Sequence, residues 1–183
     1  MLLTLIMMPL ATVIPLVVTL KIDGQSKLFF DEQRTAHFPA HANYVPAHIT
    51  LFHKLPAGNI ALENGLAAFA KRPAFELLIA DITLHKTSVA YSIQSETLQQ
   101  LHAQMQKTFD PYLIHNDRKI LTPHITIQNK VTAYKAYKTH ALLLADFKPF
   151  AVQALGFISW NYVKGYWEMK EEYLFGQVIN KPK

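Results

Sequence analysis

Hydrophobic and polar positions follow two rhythms along the chain, and the switches between them mark out its elements. Residues 14–22, IPLVVTLKI, are a β-branched apolar run closed by the turn residues Asp23 and Gly24, the pattern of a buried strand. From Gln25 to Phe38 the spacing becomes helical, with Ser26 placed to cap and Leu28, Phe29 and Phe38 among the apolar positions. A loop, HFPAHANYVPA, leads into a strand at HITLF. A helix over Asn59–Lys71 ends at Arg72-Pro73, and strands follow at Phe75–Leu84 and at SVAYSI, joined by a turn at His85–Thr87. Ser95–Phe109 is the clearest helix: Ser95 caps it, Leu98, Leu101 and Met105 share a face, and Pro111 stops it. An irregular stretch, DPYLIHNDRKIL, precedes a second HIT strand. Ala133–Phe147 is helical, and two strand-like runs, AVQALGFISWNYV and YWEMKEEYLF, finish the chain around Gly165.

Laid over itself, this pattern repeats. His48 and His124 each open a His-Ile-Thr tripeptide and stand 76 positions apart (124 minus 48), and Pro73 and Pro149 each follow their histidine by 25 residues. Each half reads HIT strand, helix, proline with an aromatic, strand, strand. Two such units predict an α+β fold of pseudo-twofold lobes, with two mostly antiparallel sheets, outer helices and a central groove.

Alternation along a strand puts His48, Thr50 and Phe52 on one face and Ile49 and Leu51 on the other. In the second copy His124, Thr126 and Gln128 oppose Ile125 and Ile127. The isoleucine faces suit the core, so two imidazoles and two hydroxyls are expected to project into the groove. That set suits phosphoryl chemistry. Of two histidines near neutrality, one can accept a proton while the other donates one, and the threonine hydroxyls can hold non-bridging oxygens. A third His-x-Thr, His85-Lys86-Thr87, has a charged middle residue in a turn and is set aside as a chance copy.

Composition changes this picture little. The absence of cysteine removes disulfides, thiolate metal sites and cysteine nucleophiles, and it fits a cytoplasmic protein. The net charge of +5 suits anionic ligands such as phosphates or RNA, although the basic residues are dispersed. The first twenty residues carry no charge. Pro9 and Pro15 argue against a membrane span there, and the missing basic segment and Ala-x-Ala site argue against a secretory signal. Residues 1–12 are therefore expected to be an apolar extension, and residues 13–183 a single bilobal domain.

The doubled motif with apolar middle residues resembles the signature of the 2H phosphoesterase superfamily, and within it the bacterial 2′-5′ RNA ligase-like proteins. The resemblance runs from about Pro15 onward, through the opening strand and helix, both motifs, the block NDRKILTPHITIQNKV and the terminal WNY and GYWE segments. It implies cleavage of 2′,3′-cyclic phosphates or 2′-5′ phosphodiester bonds without metal, ATP or other cofactor. It also implies His48 and His124 as the catalytic pair and Thr50 and Thr126 as phosphate-binding residues. Where some relatives place an arginine shortly after the second motif, this chain has Gln128, Asn129 and Lys130.

Around this centre, Phe52, Gln128, Lys130, Tyr91 and Tyr162 are candidate substrate contacts, and Trp160 and Trp167 lie on the strand pair that would flank the groove. Asp117-Arg118 either orders the loop before the second motif or touches substrate. His53, five residues beyond His48, is expected on the opposite strand face, so no metal site is expected. His37, His41, His102, His115 and His140 are expected to be solvated. The expected partners are RNA ends, 2′-5′ linked oligonucleotides or small cyclic phosphates, with no membrane, and the chain is expected to be a monomer. A non-catalytic RNA or nucleotide binding module is the alternative, and a packing role for both motifs is a third reading.

Overall fold

A computed structural model describes residues 14–176; the apolar extension expected over residues 1–12 lies outside them. In chain order the elements are β1 (Pro15–Ile22), α1 (Gly24–His37), β2 (Ile49–Pro56), α2 (Ile60–Phe69), β3 (Phe75–His85) and β4 (Ser88–Gln94). They continue with α3 (Glu96–Phe109), β5 (His124–Gln128), α4 (Ala133–Ala145), β6 (Phe150–Val163) and β7 (Tyr166–Leu174). Short 3₁₀ turns at Ala40–Ala42, Asp110–Tyr112 and His115–Arg118 occupy the loops that precede the two motifs. Among the described residues, no helix is long and apolar enough to cross a membrane.

Local chemistry accounts for the boundaries. Ser95 caps α3 by accepting from the Leu98 N–H, and Leu98, Leu101, Met105 and Phe109 bury the face that their spacing predicts. His102 lies on the same stripe and is buried, not solvated as expected. At α1 the cap is Asp23, one turn earlier than the expected Ser26. Asp23 Oδ1 accepts from the Ser26 N–H and Oδ2 from the Ser26 hydroxyl, so Ser26 is the capped residue.

The two expected sheets are joined as one antiparallel sheet of seven strands in the order β2-β1-β6-β3-β4-β5, with β7 also on β6. The fourteen-residue β6 is the joint. Its first residues, Phe150–Ala154, pair with β3, and the rest pairs with β1 on one edge and β7 on the other. The topology extends the repeat backwards by one strand and one helix. In chain order β1-α1-β2-α2-β3 is matched by β4-α3-β5-α4-β6, and across these two units β1 pairs with β6 and β4 pairs with β3. Each half of the sequence thus contributes its final strand to the other half's sheet. The helices follow suit: α1 packs against β5 and α3 hydrogen-bonds β2 through His102. This reciprocal exchange lets β2 and β5, the two ends of the strand order, meet across the groove.

The core runs through both lobes. Phe30, Phe52, Phe109 and Phe157 are fully buried, with leucines and isoleucines from β1 to β5 around them. Burial of such side chains contributes about 1.5–3 kcal/mol each. Gly156 marks the tightest point of the β6–β7 pair: a Cβ there would lie 2.4 Å from the Tyr173 carbonyl oxygen. Because that neighbour is backbone, Gly156→Ala should force the strands apart and lower stability by about 2–3 kcal/mol in a chemical denaturation curve. An unchanged midpoint would show that the pair can separate at no cost.

Candidate active site

Both motif histidines stand at the start of their strands. His124 is the first residue of β5, and His48 immediately precedes β2. Each has its Nδ1 against the carbonyl two residues back: His48 on Pro46 at 2.7 Å and His124 on Thr122 at 2.8 Å. A carbonyl only accepts, so Nδ1 carries the proton in both neutral rings. Nε2 is left in each as the nitrogen open to exchange a proton with a ligand. Pro46 and Pro123, each just upstream of its motif histidine, belong to these lead-in turns.

A polar cavity of about 260 Å³ is lined by His48, Thr50, His124 and Thr126 together, so the structure brings all four motif residues to one groove. On its other side His48 borders a larger, apolar cavity of about 430 Å³ bounded by Ile49, Trp160 and Trp167. That cavity lacks His124, Thr50 and Thr126, so the polar one is where the two motif histidines meet. Trp167 lies against His48 with ring centroids 4.6 Å apart, and Trp160, which donates from its indole N–H to the Thr19 hydroxyl, stands behind it.

These neighbours set the charge state of His48. Desolvation pushes the His48 imidazole down to about 4, opposed by its hydrogen bond to Pro46 and reinforced by nearby Arg34 and His124. His124 is exposed to solvent. In the unliganded protein at neutral pH, His48 is therefore neutral.

One helix positions both motifs. Arg34 of α1 is buried, stacks on the Phe38 ring, and donates to the carbonyls of Val45 at 2.9 Å and Thr126 at 2.6 Å and to Asn43 Oδ1 at 2.8 Å. Desolvation lowers its guanidinium to about 10, which leaves it cationic at neutral pH. One turn earlier, Asp31 accepts the Ala47 N–H and pairs with Lys27. The sequence carried a sign of Arg34's role: it occupies the buried stripe with Phe30 and Phe38, four positions from each.

The remaining candidates divide. Phe52 is fully buried, stacked on His102 and edge-on to Phe109, so it cannot touch a ligand in the groove. The cause is an irregularity in β2: Val18 pairs with Phe52 but Thr19 pairs with Thr50, so one extra residue, Leu51, interrupts the alternation. Beyond it the faces are exchanged. His53, expected on the far face, lines the polar cavity beside His48 and Thr50, with Nδ1 2.8 Å from Asp117.

Gln128 is also buried, donating to the Thr139 hydroxyl and the His37 carbonyl, and so ties β5 to α4 and α1. Tyr91 is a core residue among Phe29, Phe30 and Phe147. Lys130 is exposed in a left-handed turn after β5 and borders neither cavity. Tyr162 is exposed beside Trp167 on a neighbouring depression that shares His53 with the polar cavity. His102 donates from Nε2 to the Leu51 carbonyl, and burial lowers its pKa, which makes it a neutral structural residue. Asp117 is buried, accepting from the backbone N–H groups of His53 and Lys54 and from the His53 ring. Burial alone would raise its carboxyl, but these hydrogen bonds outweigh it and hold the pKa below the ordinary value. Among the described residues, no group of three or more His, Cys, Asp or Glu is arranged to hold a metal ion.

Comparisons with known proteins agree with this architecture. Escherichia coli LigT in its apo form is 16% identical, with a TM-score of 0.60 over 90% of this chain and 99% of LigT. LigT complexed with 3′-AMP gives 17% identity and a TM-score of 0.57 over the same shares. TT0787 of Thermus thermophilus is 15% identical, with a TM-score of 0.61 over 88% of this chain and 97% of its own. At these identities the likeness is one of fold. No curated protein sequence matches the chain. The sequence profile of the 2′-5′ RNA ligase superfamily matches residues 22–163, well over half of the chain and both motifs. The chain therefore belongs to the 2′-5′ RNA ligase superfamily of 2H phosphoesterases.

Proposed function

We propose that the protein is a metal-independent phosphoesterase that opens 2′,3′-cyclic phosphates or cleaves 2′-5′ phosphodiester bonds. The observation that carries this reading is the matched pair of histidines, each with Nδ1 held by a backbone carbonyl, on one polar cavity with Thr50 and Thr126. His48, kept neutral by desolvation, is the general base, and solvent-exposed His124 is the general acid. A water attacks phosphorus as His48 Nε2 takes its proton. The bond to the leaving ribose oxygen breaks, and that oxygen takes the proton from His124 Nε2. The product leaves with His48 protonated and His124 neutral, and exchange with solvent resets both. Thr50 and Thr126 donate hydrogen bonds to the non-bridging oxygens, where charge builds during attack. With a ribose hydroxyl attacking in place of the water, the same groups would open a cyclic phosphate and join the two in a phosphodiester. A nucleotide as ligand is supported by the LigT structure containing 3′-AMP, and a cytoplasmic location by the absence of cysteine.

The test is the pH profile of kcat/KM for a nucleoside 2′,3′-cyclic phosphate and for a 2′-5′ linked dinucleotide, both in the presence of chelator. The base must be neutral, and its pKa in the free enzyme is about 4. The acidic limb should therefore lie well below the ordinary histidine value of about 6.5. Trp167→Ala admits water beside His48 and should move that limb to higher pH. Turnover abolished by chelator, or an acidic limb at the ordinary value in the wild type, would refute the assignment.

A further inference from the structure

We propose that the Asp117 end of the groove is a second anion subsite, in which His53 and Lys119 hold a second phosphate group of the substrate. This rests on the phosphoesterase reading for the first phosphate. It narrows the substrate to nucleotides that carry two phosphate groups, such as an oligonucleotide end.

The polar cavity continues past Thr50 to His53, Asn116 and Lys119. Asp117 is the one carboxylate lining it among the described residues, and both its oxygens are turned onto β2, accepting from the N–H groups of His53 and Lys54 and from His53 Nδ1. Its charge is thereby spent on the wall, and the lumen faces Lys119 and the imidazoles. Lys119 Nζ donates to Asn116 Oδ1 at 2.9 Å, which leaves two ammonium protons for a ligand. With Nδ1 committed to Asp117, His53 offers only Nε2, and in the imidazolium form that is a charge-assisted donor suited to a phosphate oxygen.

The segment that carries Asp117 and Lys119 is tied to α3 by hydrogen bonds. Gln106 Nε2 donates to the carbonyls of both residues, and Arg118 is turned away onto Asp110. The interruption at Leu51 puts His53 on the motif face three residues beyond Thr50, on the order of 7–10 Å along the strand and about one nucleotide step from the reacting phosphate. A purely structural role explains less. Asp117 already ties the loop to β2 through two backbone N–H groups, whereas the His53 side chain is 64% exposed, where an ion pair adds little stability.

The test is calorimetric binding of adenosine 3′,5′-bisphosphate and of adenosine 3′-monophosphate and 5′-monophosphate at about pH 6. The wild type should prefer the bisphosphate by about tenfold or more over either monophosphate. In His53→Ala and in Lys119→Met that ratio should fall towards one. No preference in the wild type would overturn the proposal. So would a preference retained in both variants, including a loss of affinity equal for all three ligands, the mark of a structural lesion. Turnover of cyclic phosphate, assayed in parallel, judges the phosphoesterase reading separately: a preference lost on substitution without any turnover would keep the subsite and discard the hydrolase.

Discussion

His48→Ala and His124→Ala should each lower kcat/KM for cyclic phosphate hydrolysis by about 10²–10⁴, the range for a positioned acid or base. The loss falls on the chemical step because each side chain borders the groove and hydrogen-bonds only the turn that leads into its own strand. Neither ring is part of the hydrophobic core, so both variants should keep the wild-type circular dichroism spectrum. The two losses should not add. Once either proton transfer is missing the concerted step is broken, and the double variant should sit near the weaker single one. Folded single variants with more than a tenth of wild-type activity would show that the chemistry lies elsewhere.

Arg34→Met should be nearly as damaging, by a different route. The guanidinium is buried and donates to two backbone carbonyls, one leading into the first motif and one inside the second. Methionine fills much of the volume but leaves the Val45 and Thr126 carbonyls and Asn43 Oδ1 without their donor. Hydrogen bonds to a charged group contribute about 1.5–3 kcal/mol each, and they share one ion here, so a loss of about 3–5 kcal/mol is expected in denaturant unfolding. Arg34→Lys should recover only part of it, because one ammonium cannot reach all three acceptors in the fixed geometry of the planar fork. Arg34 is a positioning residue. In the folded fraction of either variant kcat should fall more than KM rises, since the two histidines lose register while the groove persists. A stable Arg34→Met protein with normal kcat would remove Arg34 from the account.

The elements were legible in the sequence wherever one physical rule acts locally. The β-branched run of β1, the 98-101-105 stripe of α3 with its Ser95 cap, and the two HIT strands all begin within one residue of their expected places. The motif faces were legible because Ile49, Ile125 and Ile127 bury as alternation requires. What escaped was set by pairing between distant residues. The extra residue at Leu51 exists only in relation to β1, and it carried Phe52 into the core and His53 into the groove. The His53–Asp117 contact spans 64 positions and follows from that irregularity. The exchange of β3 and β6 between the two halves was hidden for a similar reason: a repeat shows that two units match, not which sheet each final strand joins.

Phosphorus NMR of a nucleoside 2′,3′-cyclic phosphate incubated with the wild-type protein and chelator decides whether two histidines on one groove cleave a ribose phosphoester. A general acid fixed on one side of phosphorus protonates one of the two ribose oxygens. The cyclic signal should therefore be replaced by a single phosphomonoester isomer, and the His48→Ala/His124→Ala double variant should leave the ring closed. A persistent cyclic signal with the wild type, or equal ring opening by the double variant, would contradict it.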